Sequence, residues 1–144
     1  MAAHPDIRDG LMGLWDSYRM RVRRRHRLLR AMRKSWELTP VQDHTGAIRP
    51  RDILLVSTMR NEQIRLPYFL DYYRALGVAH FLFVDNDSTD GTVDYLRGKK
   101  DVSVWTTRAS YLKSAFGVDW VNWLCRKYAH GHWTLVVDPD EFFI

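Results

Sequence analysis

Apolar residues fall into two regimes along the 144-residue chain. From Leu11 to Leu38 they recur at helical spacing. Leu14, Tyr18, Val22, Leu28 or Leu29, Met32 and Trp36 can share one face, ringed by Arg19, Arg23, Arg24, Arg27, Arg30 and Arg33. The pattern predicts a basic amphipathic helix. Thr39-Pro40 ends it, because proline cannot continue a helix and turns the residue before it away from helical dihedrals. Residues 40–52, punctuated by Asp43, Gly46 and Pro50, read as a linker.

From Ile53 the pattern changes to short apolar runs alternating with helical segments. Ile53 to Ser57 is a buried strand, and Pro67 opens a helix that Gly77 stops. His80 to Val84 is a second strand, followed by a short helix from Asp90 to Leu96. Val102 to Thr106 is a third strand. A helix from Phe116 to Tyr128 then carries Phe116, Trp120, Trp123, Leu124 and Tyr128 near one face, read as core. Trp133 to Val137 is a fourth strand, ending in Asp138-Pro139-Asp140-Glu141. The order β-α-β-α-β-α-β predicts an α/β fold, a mostly parallel sheet with helices on both faces. The chain thus divides into a basic helical leader with linker, 1–52, and an α/β unit, 53–144.

Charge sharpens that division. Residues 1–52 hold 12 basic against 6 acidic side chains, whereas residues 53–144 hold 10 against 11. Between Tyr18 and Ser35 there are nine basic residues and no acidic one. Three readings of this segment stay open: a solvated charged helix, peripheral contact of residues 11–38 with anionic membrane lipid, and nucleic-acid binding. The last ranks lowest because no recognised nucleic-acid module surrounds the run. No run of about 18 apolar residues is present, and the charged Met1 to Gly10 lacks a signal-peptide core. The single cysteine, Cys125, excludes an internal disulfide and reads as a small buried hydrophobe. These features lead to an expected cytoplasmic location, at most peripheral at the inner face of the membrane.

In parallel sheets, ligands bind beyond the carboxyl ends of the strands, where the polar clusters of this chain fall. Asp138 and Asp140 can present oxygens to one hard divalent cation, Mn²⁺ or Mg²⁺, which usually shares such ligands with phosphate. A solvated acidic turn would look the same in isolation. The loop Asp85-Asn86-Asp87-Ser88-Thr89-Asp90 reads partly as a strand-to-helix turn capped by Ser88 or Thr89. That leaves Asp85 and Asp87 unexplained, and either carboxylate could accept an N–H from a nucleotide base. Thr58-Met59-Arg60-Asn61-Glu62 follows the first strand, where nucleotide contact competes with a plain polar loop. His130 and His132 bracket Gly131 and read as a turn rather than a metal pair.

Taken in order, three segments resemble the family 2 glycosyltransferases. They are strand–Arg60-Asn61-Glu62, then Phe83-Val84-Asp85-Asn86-Asp87-Ser88-Thr89-Asp90-Gly91-Thr92, then strand–Asp138-Pro139-Asp140-Glu141. The likeness is greatest to a bacterial branch with an Arg-Asn-Glu first loop, and it covers about residues 53–144. It implies a GT-A fold and a nucleotide-diphosphate sugar as donor. It also implies metal-dependent, inverting transfer to a glycan or other hydroxyl acceptor. By the same resemblance, Thr58, Arg60, Asn61 and Glu62 contact the nucleotide, Asp85 or Asp87 reads the base, and Lys113 meets the diphosphate. Asp138 and Asp140 hold the metal, with Asp138 also near the donor. The family's general base lies well downstream of the Asp-x-Asp motif, whereas this chain ends four residues after Asp140. The expectation is therefore the nucleotide-sugar half of a larger enzyme. The alternative is a non-catalytic nucleotide-binding or interaction module.

Overall fold

The computed structural model describes residues 7–142, with side chains from Trp15 onward. The stretch Met1–Asp6, part of the region read as lacking a signal peptide, lies outside the described residues. So do Phe143 and Ile144, and the side chain of Leu14. The chain forms an α/β structure whose five strands make one sheet: β1 Thr39–Gln42, β2 Ile53–Met59, β3 Val78–Asp85, β4 Val102–Thr106 and β5 Thr134–Val136. Four α-helices accompany them: α1 Ile7–Lys34, α2 Leu66–Ala75, α3 Thr92–Leu96 and α4 Val118–Tyr128.

Strand order is β1-β4-β3-β2-β5. The pairs β2–β3, β2–β5 and β3–β4 are parallel, and β1–β4 is antiparallel. Side chains alternate across the sheet, so two cores form. Leu55, Met59, Phe81 and Phe83 pack on one face against Leu66, Phe69, Leu70 and Tyr73 of α2 and Leu96 of α3. Leu54, Val56, Leu82 and Val84 pack on the other against Trp120 and Leu124 of α4. Helices thus cover both faces, as the alternation of elements predicts.

Three expectations are corrected. Thr39–Gln42, which reads as helix end and linker, is an edge strand paired with β4. Pro40 is tolerated because an edge strand can leave one side of its backbone unpaired. Gln42 fixes β1 in place: its amide nitrogen donates to Lys99 O and Val102 O at 3.0 and 2.8 Å, and its oxygen accepts Gly98 N at 2.7 Å. Phe116 is not the first residue of the fourth helix. It has φ 57°, is exposed, and meets Tyr111 edge-on before Gly117 starts α4. Finally, α3 begins at Gly91 without a side-chain cap, so neither Ser88 nor Thr89 caps it.

Helix α1 docks on α4 near its C-terminal end. Ala31 is buried, and Arg30 Nε donates to Asp119 of α4 at 3.0 Å, where the Asp119 side chain is 1% exposed. Glu37, in the 3₁₀ turn after α1, accepts Trp120 Nε1 at 3.1 Å. Among the described residues no helix is long and apolar enough to cross a membrane.

Candidate functional site

Chain order moves from β2 outward through β3 to β4, then returns to place β5 on the other side of β2. Such a reversal opens a crevice at the carboxyl ends of the strands. A cavity of about 360 Å³ lies there, lined by Thr58, Met59, Arg60 and Glu62 after β2, Asn86 after β3, Tyr111, and Asp138, Pro139 and Asp140 after β5. Five residues expected from the sequence meet in it: Thr58, Arg60, Glu62, Asp138 and Asp140.

The first two loops hold each other. Asn61 takes the left-handed conformation (φ 57°), which asparagine tolerates better than most residues. Its N–H donates to Ser88 Oγ at 2.8 Å, and its side-chain oxygen accepts Thr89 N at 2.8 Å. Glu62 N donates to Thr92 Oγ1 at 2.9 Å and Gln63 N to Asp90 Oδ2 at 3.0 Å. Burial works against ionisation of Asp90, but hydrogen bonds from Thr92 and Gln63 outweigh it and hold its carboxyl below the ordinary value. Asn61 is thus occupied in bracing the loops and does not line the cavity.

The third loop is pinned from below. Val137 is buried in the α2-side core. Tyr73 Oη donates to Glu141 O at 2.9 Å, and Phe142 packs among Tyr68, Phe69, Tyr72 and Tyr73 of α2. Glu141 Oε2 accepts Asp138 N at 3.3 Å, so this carboxylate closes the turn. Burial, then the charges of Glu141 and Asp140, raise the Asp138 carboxyl above its ordinary value. Burial and the negative charge of Asp138 likewise push the Tyr111 phenol up. This concentration of negative charge at the cavity floor suits a cation. Among the described residues, no three His, Cys, Asp or Glu side chains are grouped to hold a metal. Asp138 and Asp140 could therefore hold one only together with oxygens that a ligand brings.

Asp85 and Asp87 lie elsewhere on the same edge. They line a neighbouring cavity of about 480 Å³ with Glu37, Thr39, Ser88, Thr107 and Arg108. Asp85 is 1% exposed; its Oδ2 accepts Ser88 N at 3.1 Å, and its Oδ1 has no partner. Asp87 faces Arg108 at 3.4 Å. Lys113 is exposed in a 3₁₀ turn and lines neither cavity.

Two polar lining residues, Asn86 and Tyr111, were not expected from the sequence. Asn86 donates through Nδ2 to Thr107 O and Ala109 O, both at 3.1 Å, which leaves its oxygen free for a ligand. Strand parity could have found it. Asp85 continues the Phe81, Phe83 side of β3, while Asn86 continues the Leu82, Val84 side, facing the same way as Thr58 on β2. Tyr111 gave no signal, because a long turn brings it to the cavity. No protein-family model, curated protein or solved structure matches the chain, so the geometry carries the functional argument by itself.

Proposed function

We propose that this chain binds a nucleotide-diphosphate sugar at the carboxyl edge of a GT-A-type sheet, as the donor half of a family 2 glycosyltransferase. The observation that carries the reading is the meeting of loops from β2, β3 and β5 in one cavity, with an arginine, a buried amide and three carboxylates at its wall. Two further features support it. The Asn86 side-chain oxygen is left for a ligand, because its amide nitrogen is taken by Thr107 O and Ala109 O. The Asp-x-Asp turn also carries a local excess of negative charge.

Each residue then has a role. The Asn86 oxygen accepts the N–H of the base, with Asp85 and Asp87 one position to either side in the neighbouring cavity. The Arg60 guanidinium stacks on the base plane or meets phosphate. Thr58 forms part of the wall. Glu62 is held by Arg65 at 2.7 Å and shapes the wall. Asp138 and Asp140 would hold Mn²⁺ or Mg²⁺ jointly with the diphosphate, and a bound metal would neutralise the charge of the leaving diphosphate. Transfer to a hydroxyl acceptor further requires a base to take the hydroxyl proton. In the donor-half reading that base is not among these residues, because Glu141 is committed to Asp138 N.

Isothermal titration with UDP, with and without Mn²⁺, tests the reading. The expected result is saturable binding that Mn²⁺ tightens, with the Mn²⁺ effect lost in Asp138→Ala and Asp140→Ala. Absence of binding to any nucleoside diphosphate in either metal would overturn it. Saturable binding without transfer fits both the donor half and a non-catalytic nucleotide-binding module, because neither supplies the base.

A further inference from the structure

From Trp15 onward, helix α1 presents an exposed face rich in aromatic and aliphatic side chains. Trp15, Tyr18, Val22, Leu29 and Met32 of α1, with Trp36 of the 3₁₀ turn that follows, lie toward one side, away from α4, and Arg25 occupies the position between Val22 and Leu29 in that row. The two tryptophans are 66% and 91% exposed, and Tyr18 and Leu29 are also exposed. Docking on α4 uses the opposite side, through Ala31 and the Arg30–Asp119 pair. The stripe is flanked by arginines within a segment that has nine basic residues and no acidic one.

We propose that this face lies on an anionic lipid surface. Aromatic and aliphatic side chains on one face with arginines beside and between them match a helix resting in the plane of a bilayer interface. Charge decides between a lipid surface and a second copy of the chain. Two such helices packed stripe to stripe would set arginine against arginine, with no carboxylate between Tyr18 and Ser35 to offset them. An anionic bilayer accepts the same charges with attraction and takes up the tryptophans at headgroup depth. Docking also fixes orientation. Trp36 lies three residues before Thr39, which pairs with Thr106 at the carboxyl end of β4. The helix therefore ends at the sheet edge that carries the candidate site and holds that edge toward the bilayer. The surface does not depend on the nucleotide-sugar reading.

The experiment is partition of the full chain onto vesicles of phosphatidylcholine with and without phosphatidylserine, at low and high salt. Expected are binding to the phosphatidylserine vesicles only and a blue shift of tryptophan emission. Release at high salt is also expected, because the screening length shrinks from about 10 Å at 0.1 M to about 3 Å at 1 M. The combined variant Arg19→Gln, Arg21→Gln and Arg25→Gln should weaken partition by roughly five-fold per arginine. The variant Trp15→Ala with Trp36→Ala should lose the emission shift and bind more weakly. All five positions are exposed and none contacts Asp119, and an unchanged circular dichroism spectrum confirms that each variant is folded. Failure to bind phosphatidylserine vesicles at low salt overturns the proposal. So does retention of a duplex oligonucleotide without vesicle binding, or a lipid-free dimer that buries the two tryptophans.

Discussion

Replacing Gly117 by alanine would place a methyl carbon 2.9 Å from Thr58 Oγ1 and 3.0 Å from Tyr111 Cε2. Both side chains line the candidate cavity, and Gly117 itself is buried with φ +79°. Two costs combine. The left-handed conformation costs a non-glycine residue about 1–2 kcal/mol. Forcing an extra carbon into filled space costs about 1–3 kcal/mol more. Gly131 separates the two, because it has φ +85° with nothing within 4 Å of an added methyl. Gly131→Ala should therefore lose only the conformational part. Urea denaturation of both variants, read through midpoints at constant slope, gives the comparison. Gly117→Ala should be the less stable by about 1–3 kcal/mol, the overpacking share. In the proposed function it should also weaken UDP binding, while Gly131→Ala should not. Equal destabilisation of the two variants would refute the packing of Gly117 between Thr58 and Tyr111.

Arg30→Ala would strip the buried Asp119 carboxylate of its partner, and Arg30 is itself half exposed. A loss of about 2 kcal/mol is expected in urea denaturation, below the cost for a fully buried pair, with partial recovery in the double variant Arg30→Ala, Asp119→Asn. A single-variant loss within error would contradict the docking of α1 on α4. His80 is buried with Nε2 2.9 Å from Ser103 Oγ, and burial lowers its pKa from the ordinary 6.5. The unfolded chain then binds the proton more readily, so stability should fall as pH drops below 6.5 towards the lowered native value. Thermal unfolding between pH 7.5 and 5 should show a smaller decline in His80→Gln, and an unchanged pH profile would count against this assignment.

The parallel part of the sheet was legible because its strands are continuous apolar runs ended by polar clusters. Val102–Thr106 matches its expected limits, and the others differ by one or two residues. Strand β1 was not legible. Thr39-Pro40 carries a local signal for ending a helix, and what makes it a strand is distant: β4 beside it and the turn carbonyls that Gln42 binds. The candidate cavity was legible at Thr58, Arg60, Glu62, Asp138 and Asp140, which sit where strands end. Asn61 reads as a ligand contact but braces the neighbouring loop, since its left-handed backbone aims both N–H and side chain at Ser88 and Thr89. Asp85 and Asp87 fall in the adjacent cavity because strand alternation sends Asn86, not its neighbours, to the side of Thr58. Tyr111 arrives through a turn with consecutive left-handed residues, Ala115, Phe116 and Gly117, which no periodicity encodes.

Backbone amide NMR of the full chain titrated with UDP and Mg²⁺ reads nucleotide binding at the candidate cavity residue by residue. Perturbed amides are expected to cluster at Thr58–Glu62, Asn86, Tyr111, Asp138 and Asp140. Asp138→Ala should remove the effect of Mg²⁺ while the Asn86 shift remains. Perturbation confined to other surfaces, or no saturable change at all, would contradict the proposed nucleotide binding.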